Sequence, residues 1–225
     1  MPNTLGFALF IVGVAVFLGW YAVGTQLNVR RGNDVLRWLQ EGLTLVGEKT
    51  TMRWLGSSAI ELKVQQAKEP YRQVEVFIVL EPRDVPFLWW FFRARGRRDF
   101  LIVRSHLRAM PNVQLEALDP CGWSTRGLEQ ELQDRRWTRM ETASQLPLVS
   151  YVEGSDGLQT AAALLELATL PGSSLVRLAV HHAVPNLEVQ WTLDDLETLQ
   201  AQHVFETLQR IGERLYNSSF ETVNE

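Results

Sequence analysis

Residues Val176 to Leu193 read VRLAVHHAVPNLEVQWTL, and their alternation decides the fold class. Val176, Leu178, Val180, His182 and Val184 fall on one face of an extended chain. Leu187, Val189, Trp191 and Leu193 fall on one face of another, and Pro185-Asn186 supplies turn residues between them. A two-residue loop pairs Val184 with Leu187, His182 with Val189 and Val180 with Trp191, so both apolar sets land on one side of an antiparallel hairpin. In that register His182 sits on the apolar face. His181 points the other way, because adjacent strand residues face opposite sides, and the two cannot grip one metal ion together.

The same period recurs upstream. Ile60, Leu62 and Val64 alternate with Glu61, Lys63 and Gln65, a strand with one wet face. Val74, Val76, Ile78 and Leu80 repeat it, with Phe77 and Val79 also apolar, which predicts a central strand. Phe100 to Val103 and Val113, Leu115 and Ala117 predict two more, separated by Met110-Pro111-Asn112, and Leu148 to Val152 a short one.

Between and around these lie helical periods. Gly32-Asn33 reads as a helix start, followed by Val35, Leu36, Leu39, Leu43 and Val46 at spacings of three and four. Leu128 and Leu132, with Glu131 four residues before Arg135, predict a short surface helix. After Gly154-Ser155-Asp156-Gly157, the run from Leu158 to Ala168 is apolar on more than one face, hence buried, and Pro171-Gly172 ends it. Thr192 to Asp195 can cap a long helix striped by Leu196, Leu199, Val204, Leu208, Ile211 and Leu215. Asp194, Asp195 and Glu197 then serve the helix N-terminus electrostatically and need no catalytic role. The expected fold is α+β: a single N-terminal transmembrane helix, then a mostly antiparallel sheet with packed helices.

The transmembrane expectation rests on Met1 to Val29, which hold no Asp, Glu, Lys, Arg or His. Leu5 to Val23 read LGFALFIVGVAVFLGWYAV, a stretch of about 28 Å as a helix against a hydrocarbon core near 30 Å. Leu5, Phe10 and Phe17 belong to the span, Trp20 and Tyr21 to its headgroup boundary, and Arg30 and Arg31 stop translocation. A cleaved signal peptide ending at Ala22-Val23-Gly24 is the alternative; it wants a basic start and a shorter apolar run. Met1 to Thr4 carry no basic residue, whereas Arg30, Arg31 and Arg37 follow the span, so the positive-inside rule places residues 27–225 in the cytoplasm and the N-terminus outside. The expected organisation is an anchor over 1–26 in the cell inner (plasma) membrane and a cytoplasmic α+β domain over 27–225, which could subdivide near 120. The single Cys121 excludes a disulfide framework.

Charge is uneven. Residues 1–110 hold 15 Lys and Arg against 9 Asp and Glu, net +6, while residues 111–225 hold 7 against 17, net −10. The basic half is attached to the span, where an anionic cytoplasmic leaflet attracts it. Within it Phe87, Leu88, Trp89, Trp90, Phe91 and Phe92 run directly into Arg93, Arg95, Arg97 and Arg98. Rings at the acyl boundary with arginines on phosphates bind a bilayer surface, and the same composition suits a membrane-protein partner. Large aromatics also fill cores, and sequence leaves these readings side by side. Nucleic acid is excluded as a partner by the acidic second half and a pI of about 5.7.

Chemistry leaves little trace. There is no dinucleotide glycine fingerprint, phosphate-binding Gly-Lys-Ser/Thr loop or His-Glu-x-x-His helix. Gly122-Trp123-Ser124-Thr125-Arg126 departs from a nucleophile elbow at Arg126, where a small residue is required. No cofactor or metal is expected, and catalysis is not supported by any motif. The expected function is a single-pass membrane protein whose cytoplasmic domain binds an anionic bilayer surface or a membrane-protein partner as an accessory, scaffold or assembly subunit. The rivals are a membrane-associated enzyme on a lipid or lipid-linked phosphate, with the arginines gripping phosphate beside a carboxylate or histidine, and a sensory or regulatory module.

Overall fold

The computed structural model describes residues 3–122, 125, 127–134, 137–140, 148–154 and 157–221. It opens on α1 (Asn3–Leu43), one unbroken helix of 41 residues. Every residue from 4 to 23 is exposed, and this stretch makes α1 the one helix, among the described residues, long and apolar enough to cross a membrane. From Gly24 onward the helix packs on the domain through Gly24, Asn28, Gly32, Val35, Leu39 and Gly42, a buried stripe at spacings of three and four. Gly32 therefore lies inside α1, contrary to the expected helix start there. A Cβ on it would stand 2.5 Å from Trp54 Cη2 and 2.9 Å from Ile60 Cδ1, so close packing outweighs the helix propensity that glycine lacks.

Nine strands follow: β1 (Gly47–Trp54), β2 (Ala59–Ala67), β3 (Tyr71–Val79), β4 (Phe100–Leu107), β5 (Leu115–Leu118), β6 (Thr138–Met140), β7 (Val149–Val152), β8 (Leu175–Val180) and β9 (Leu187–Thr192). They form one sheet in the order β1-β2-β3-β4-β9-β8-β5-β7-β6, antiparallel throughout. The fold is α+β, as expected. The helices are α2 (Pro86–Ala94), α3 (Leu128–Asp134), α4 (Leu158–Leu167) and α5 (Ala201–Glu221). The domain part of α1, with α4 and α5, covers one sheet face over a core that includes Val35, Leu39, Leu62, Val76, Trp191, Phe205 and Leu208. Trp38 Nε1 donates to Leu199 O at 2.6 Å, and the Tyr71 hydroxyl donates to Leu208 O.

The other face divides in two. At the β5 to β7 end α3 covers Leu118 and Tyr151 with Leu132, which is buried and not a surface residue. The remainder carries ion pairs of alternating sign: Arg53–Glu61, Glu61–Lys63 within β2, and Lys63–Glu75 from β1 to β3, then Arg104–Glu188, Glu188–Arg177 and Arg177–Glu116 from β4 to β5. The wet face read from Glu61 and Lys63 belongs to this row.

Several expectations need correction. β8 and β9 pair as a hairpin, but Val180 meets Leu187 and Leu178 meets Val189, four residues away from the predicted register. The shift is even, so both apolar faces survive it. The loop has six residues because Asn186 organises it: its Nδ2 donates to His181 O and His182 O at 3.3 and 3.0 Å, and its Oδ1 accepts from Leu107 N at 3.2 Å. His182 consequently lies beyond β8, exposed, instead of on the apolar face. A register irregularity between Leu175 and Arg177 also takes Val176 out of the alternation.

β4 and β5 are not neighbours; the β8–β9 hairpin lies between them. β1 was not expected, because an edge strand exposed along most of its length shows no alternation. β6, three residues long, leaves too short a pattern to read. α5 begins at Ala201, later than Asp195: the Asp195 carboxylate accepts Glu197 N at 2.9 Å in a separate turn, and Trp38 takes the Leu199 carbonyl. The expected Glu131–Arg135 pair, most of the Gly122–Arg126 loop and Ser155-Asp156 fall outside the described residues.

Candidate functional site at the tip of the β3 to β4 hairpin

β3 and β4 pair from Tyr71–Leu107 to Val79–Phe100, and residues 80–99 form the tip of their hairpin. α2 is built into that tip. Pro86 starts it, where a proline ring suits the first turn, and Gly96 at φ +82° follows its end in the left-handed conformation glycine favours. No residue of α2 is buried, so the aromatic run is not core. Phe87 is 77% exposed and Trp90 73%, and with Phe91 and Ala94 they form an outward stripe at spacings of three and four. Leu88, also exposed, lies beside it.

The inward stripe is Trp89, Phe92 and Arg93. Trp89 Nε1 donates to Glu81 Oε2 at 2.6 Å, and Arg93 Nη1 donates to Glu81 Oε1 at 2.9 Å. The arginines also lie over rings of the same segment: Arg93 over Trp89 at 5.9 Å, Arg95 over Phe91 at 3.8 Å and Arg97 over Phe92 at 5.1 Å. Partial burial pulls the Arg97 guanidinium below its ordinary pKa, against the opposing pull of Glu81 and Asp99. Arg98 Nη1 donates to Arg97 O at 2.9 Å, and its Nε stands 3.9 Å from Asp194.

Beneath α2 two buried carboxylates join the tip to the helix that continues from the apolar segment. Asp99 accepts both Arg83 Nη atoms at 3.1 Å, Arg31 Nε at 3.2 Å and Glu81 N at 2.8 Å. Arg83 Nη1 also donates to Asn28 Oδ1 at 3.2 Å, and Arg31 Nη2 to Leu193 O at 2.7 Å. α1, both ends of the hairpin tip and the segment after β9 thus meet in one charged network, with each buried acid held by arginines as low-dielectric surroundings require.

Of the residues expected to anchor the chain, Leu5, Phe10, Phe17, Trp20 and Tyr21 are exposed on α1, Arg30 is exposed about two turns beyond Val23, and Arg31 points into the network. Trp20 also reaches the domain. Its Nε1 donates to Arg83 O at 3.1 Å, and its ring centroid lies 6.5 Å from that of Trp89. Gly24 permits this approach, since a Cβ there would stand 2.2 Å from Arg83 O. The ten residues taken from sequence as one site therefore divide, with Phe87, Leu88, Trp90 and Phe91 outward, Trp89, Phe92 and Arg93 turned toward the domain, and Arg95, Arg97 and Arg98 beyond the end of α2.

Asn28, Glu81, Arg83 and Asp99 were not singled out from sequence. Their signal was present: Glu81 follows the apolar run of β3, Asp99 precedes that of β4, and both flank an arginine-rich run. A polar cavity of about 220 Å³ opens among Arg31, Arg83, Arg93, Arg98, Glu81 and Asp99. Its acids are engaged in the contacts just described.

A further buried acid, Glu116, lies on the charged sheet face. It accepts from Arg177 Nε and Nη2 at 3.1 and 2.6 Å and meets His181 Nε2 at 2.9 Å. Burial alone would push its pKa up, and the bonds from His181 and Arg177 outweigh this and hold it below 4.5. Among the described residues no group of three or more His, Cys, Asp or Glu is placed to hold a metal ion. No protein-family model matches this chain, and no curated protein matches it.

Proposed function

We propose that this is a single-pass membrane protein whose domain rests on the cytoplasmic surface of the inner membrane, with α2 lying in the headgroup layer beside α1. The observation that supports this reading most is α2 itself: a helix with no buried residue and an apolar outward stripe, fastened to α1 at the level of Trp20. Exposed apolar surface of this kind is a contact surface in want of an occupant. The neighbouring aromatic and arginine composition suits the lipid boundary. The basic first half supports the same side, since Lys and Arg near an anionic leaflet are attracted by about 1 kcal/mol each. Continuity of α1 across Ala22-Val23-Gly24 favours an anchor that stays attached. The role we infer is that of an accessory or assembly subunit held flat against a membrane complex.

The test uses the full chain in nanodiscs containing phosphatidylglycerol. In a Cys121→Ser background, an environment-sensitive fluorophore is placed at Phe87→Cys, Trp90→Cys and, as a control on the charged sheet face, Arg53→Cys. A blue-shifted emission quenched by lipid-borne quenchers at positions 87 and 90, and absent at 53, is the expected result. Water-like emission at all three sinks the interfacial reading.

A further inference from the structure

We propose that one anionic phospholipid of the cytoplasmic leaflet occupies the groove between α1 and α2, with an acyl chain against Trp20, Val23 and Leu27 and its phosphate at Arg31. The inference rests on the interfacial reading of α2 and names the ligand of that same region. The groove encloses about 320 Å³, and Arg83 and Trp89 complete its lining. Gly24, in contact with the Arg83 backbone, and the tilted rings of Trp20 and Trp89, with centroids 6.5 Å apart, line it together. The volume lies at the lower end of small-molecule sites, suited to one stretch of acyl chain.

Polarity along the groove identifies the occupant. Trp20, Val23, Leu27 and Arg31 follow one another along one face of α1, apolar first and cationic last. Val23 and Arg31 are eight residues apart, about 12 Å along the axis, so a lipid with its phosphate at Arg31 stands lower than its neighbours, its chain drawn out of the leaflet along the groove. A phospholipid standing beside α1 in the cytoplasmic leaflet has the same order in the same direction, chain toward the bilayer centre and phosphate toward the domain. Arg31 spends Nε on Asp99 and Nη2 on Leu193 O, and among the described residues its Nη1 has no protein acceptor. A guanidinium carries five N–H donors, so phosphate can be added without breaking the network. An anionic headgroup fits better than one bearing an ammonium, because the nearby acids, Glu81 and Asp99, are already taken by arginines.

The experiment is native mass spectrometry of the delipidated full chain in mild detergent. It compares added palmitoyl-oleoyl phosphatidylglycerol, the phosphatidylcholine with the same chains, and glycerol 3-phosphate as a free headgroup. One phosphatidylglycerol should be retained about tenfold more strongly than phosphatidylcholine, a difference of about 1.4 kcal/mol, and glycerol 3-phosphate should not displace it. Val23→Trp fills the groove from an exposed position and should lower retention about tenfold with melting in detergent alone unchanged. Trp90→Ala, on the outward stripe, should retain the lipid. Equal retention of both lipids, retention of neither, displacement by glycerol 3-phosphate, or undiminished retention by the Val23→Trp protein overturns the inference. If the fluorophores at 87 and 90 still report lipid in that case, the interfacial reading of α2 stands and only the groove assignment falls.

Discussion

Trp20 Nε1 donates to the main-chain carbonyl of Arg83 at 3.1 Å, across 63 residues of sequence. An indole that prefers the headgroup boundary is thereby attached to the hairpin tip that carries α2, which fixes the height of the tip relative to the apolar segment. Such a bond contributes about 1 kcal/mol net, so Trp20→Phe, which keeps an aromatic ring but not the donor, should speed amide exchange over residues 81–94 about fivefold. Exchange in β5, remote from the tip, should not change. Equal acceleration at both places would mean that the substitution loosens the whole domain.

Gly24 and Gly13 lie in the same helix with opposite surroundings. A Cβ on Gly24 meets Arg83 O at 2.2 Å, whereas one on Gly13 meets nothing within 4 Å. Gly24→Ala should therefore cost about 1 to 3 kcal/mol by overpacking, enough to lower the melting temperature in detergent by several degrees. Gly13→Ala should leave it unchanged or slightly higher. The same melting point for both variants would show that α1 does not seat against residue 83.

Glu116 predicts the behaviour of the domain in acid. Its folded pKa is depressed, so its contribution is present above the ordinary value of 4.5 and is lost as the pH falls through the folded value. Denaturant midpoints should drop between about pH 5 and pH 3, and Glu116→Gln should start lower at neutral pH and fall less over that interval. A parallel decline in both proteins would assign acid sensitivity to other carboxylates. Removing the partner is the harsher change: Arg177→Met strands a buried carboxylate and should cost about 3 to 5 kcal/mol.

Cys121, the single and exposed cysteine, reports the side of the membrane. A membrane-impermeant maleimide should label it only after cells are opened. Labelling in intact cells would place the domain outside and overturn the assignment of the cytoplasmic face.

Much of the architecture was legible because most buried strands keep a strict period of two and the helices their period of three to four. Ile60, Leu62 and Val64 announced β2, and Val189 and Trp191 announced β9. What escaped has physical causes. β1 is wet along most of its length, so no alternation is imposed on it. The β8–β9 register was set by the Asn186 side chain, whose bonds to Leu107 N, His181 O and His182 O replace a two-residue turn with a longer loop. Gly32 looked like punctuation because glycine is ambiguous by itself; only Trp54 and Ile60, distant in sequence, show that it is a contact. The aromatic run was visible at once, yet its division into outward and inward stripes required knowing that Glu81 lies beneath Trp89 and Arg93.

The unbroken course of α1 also governs how far the domain can travel. A helix of 41 residues, roughly 61 Å long, joins span and sheet without a hinge, and the Asp99 network clamps its lower half to the hairpin tip. Tilting the apolar half of α1 tilts the sheet by the same angle, and rotating it swings the charged face around the same axis. The domain behaves as a vane on a mast, and under the proposed membrane reading a change in bilayer thickness reaches the sheet as a change of attitude.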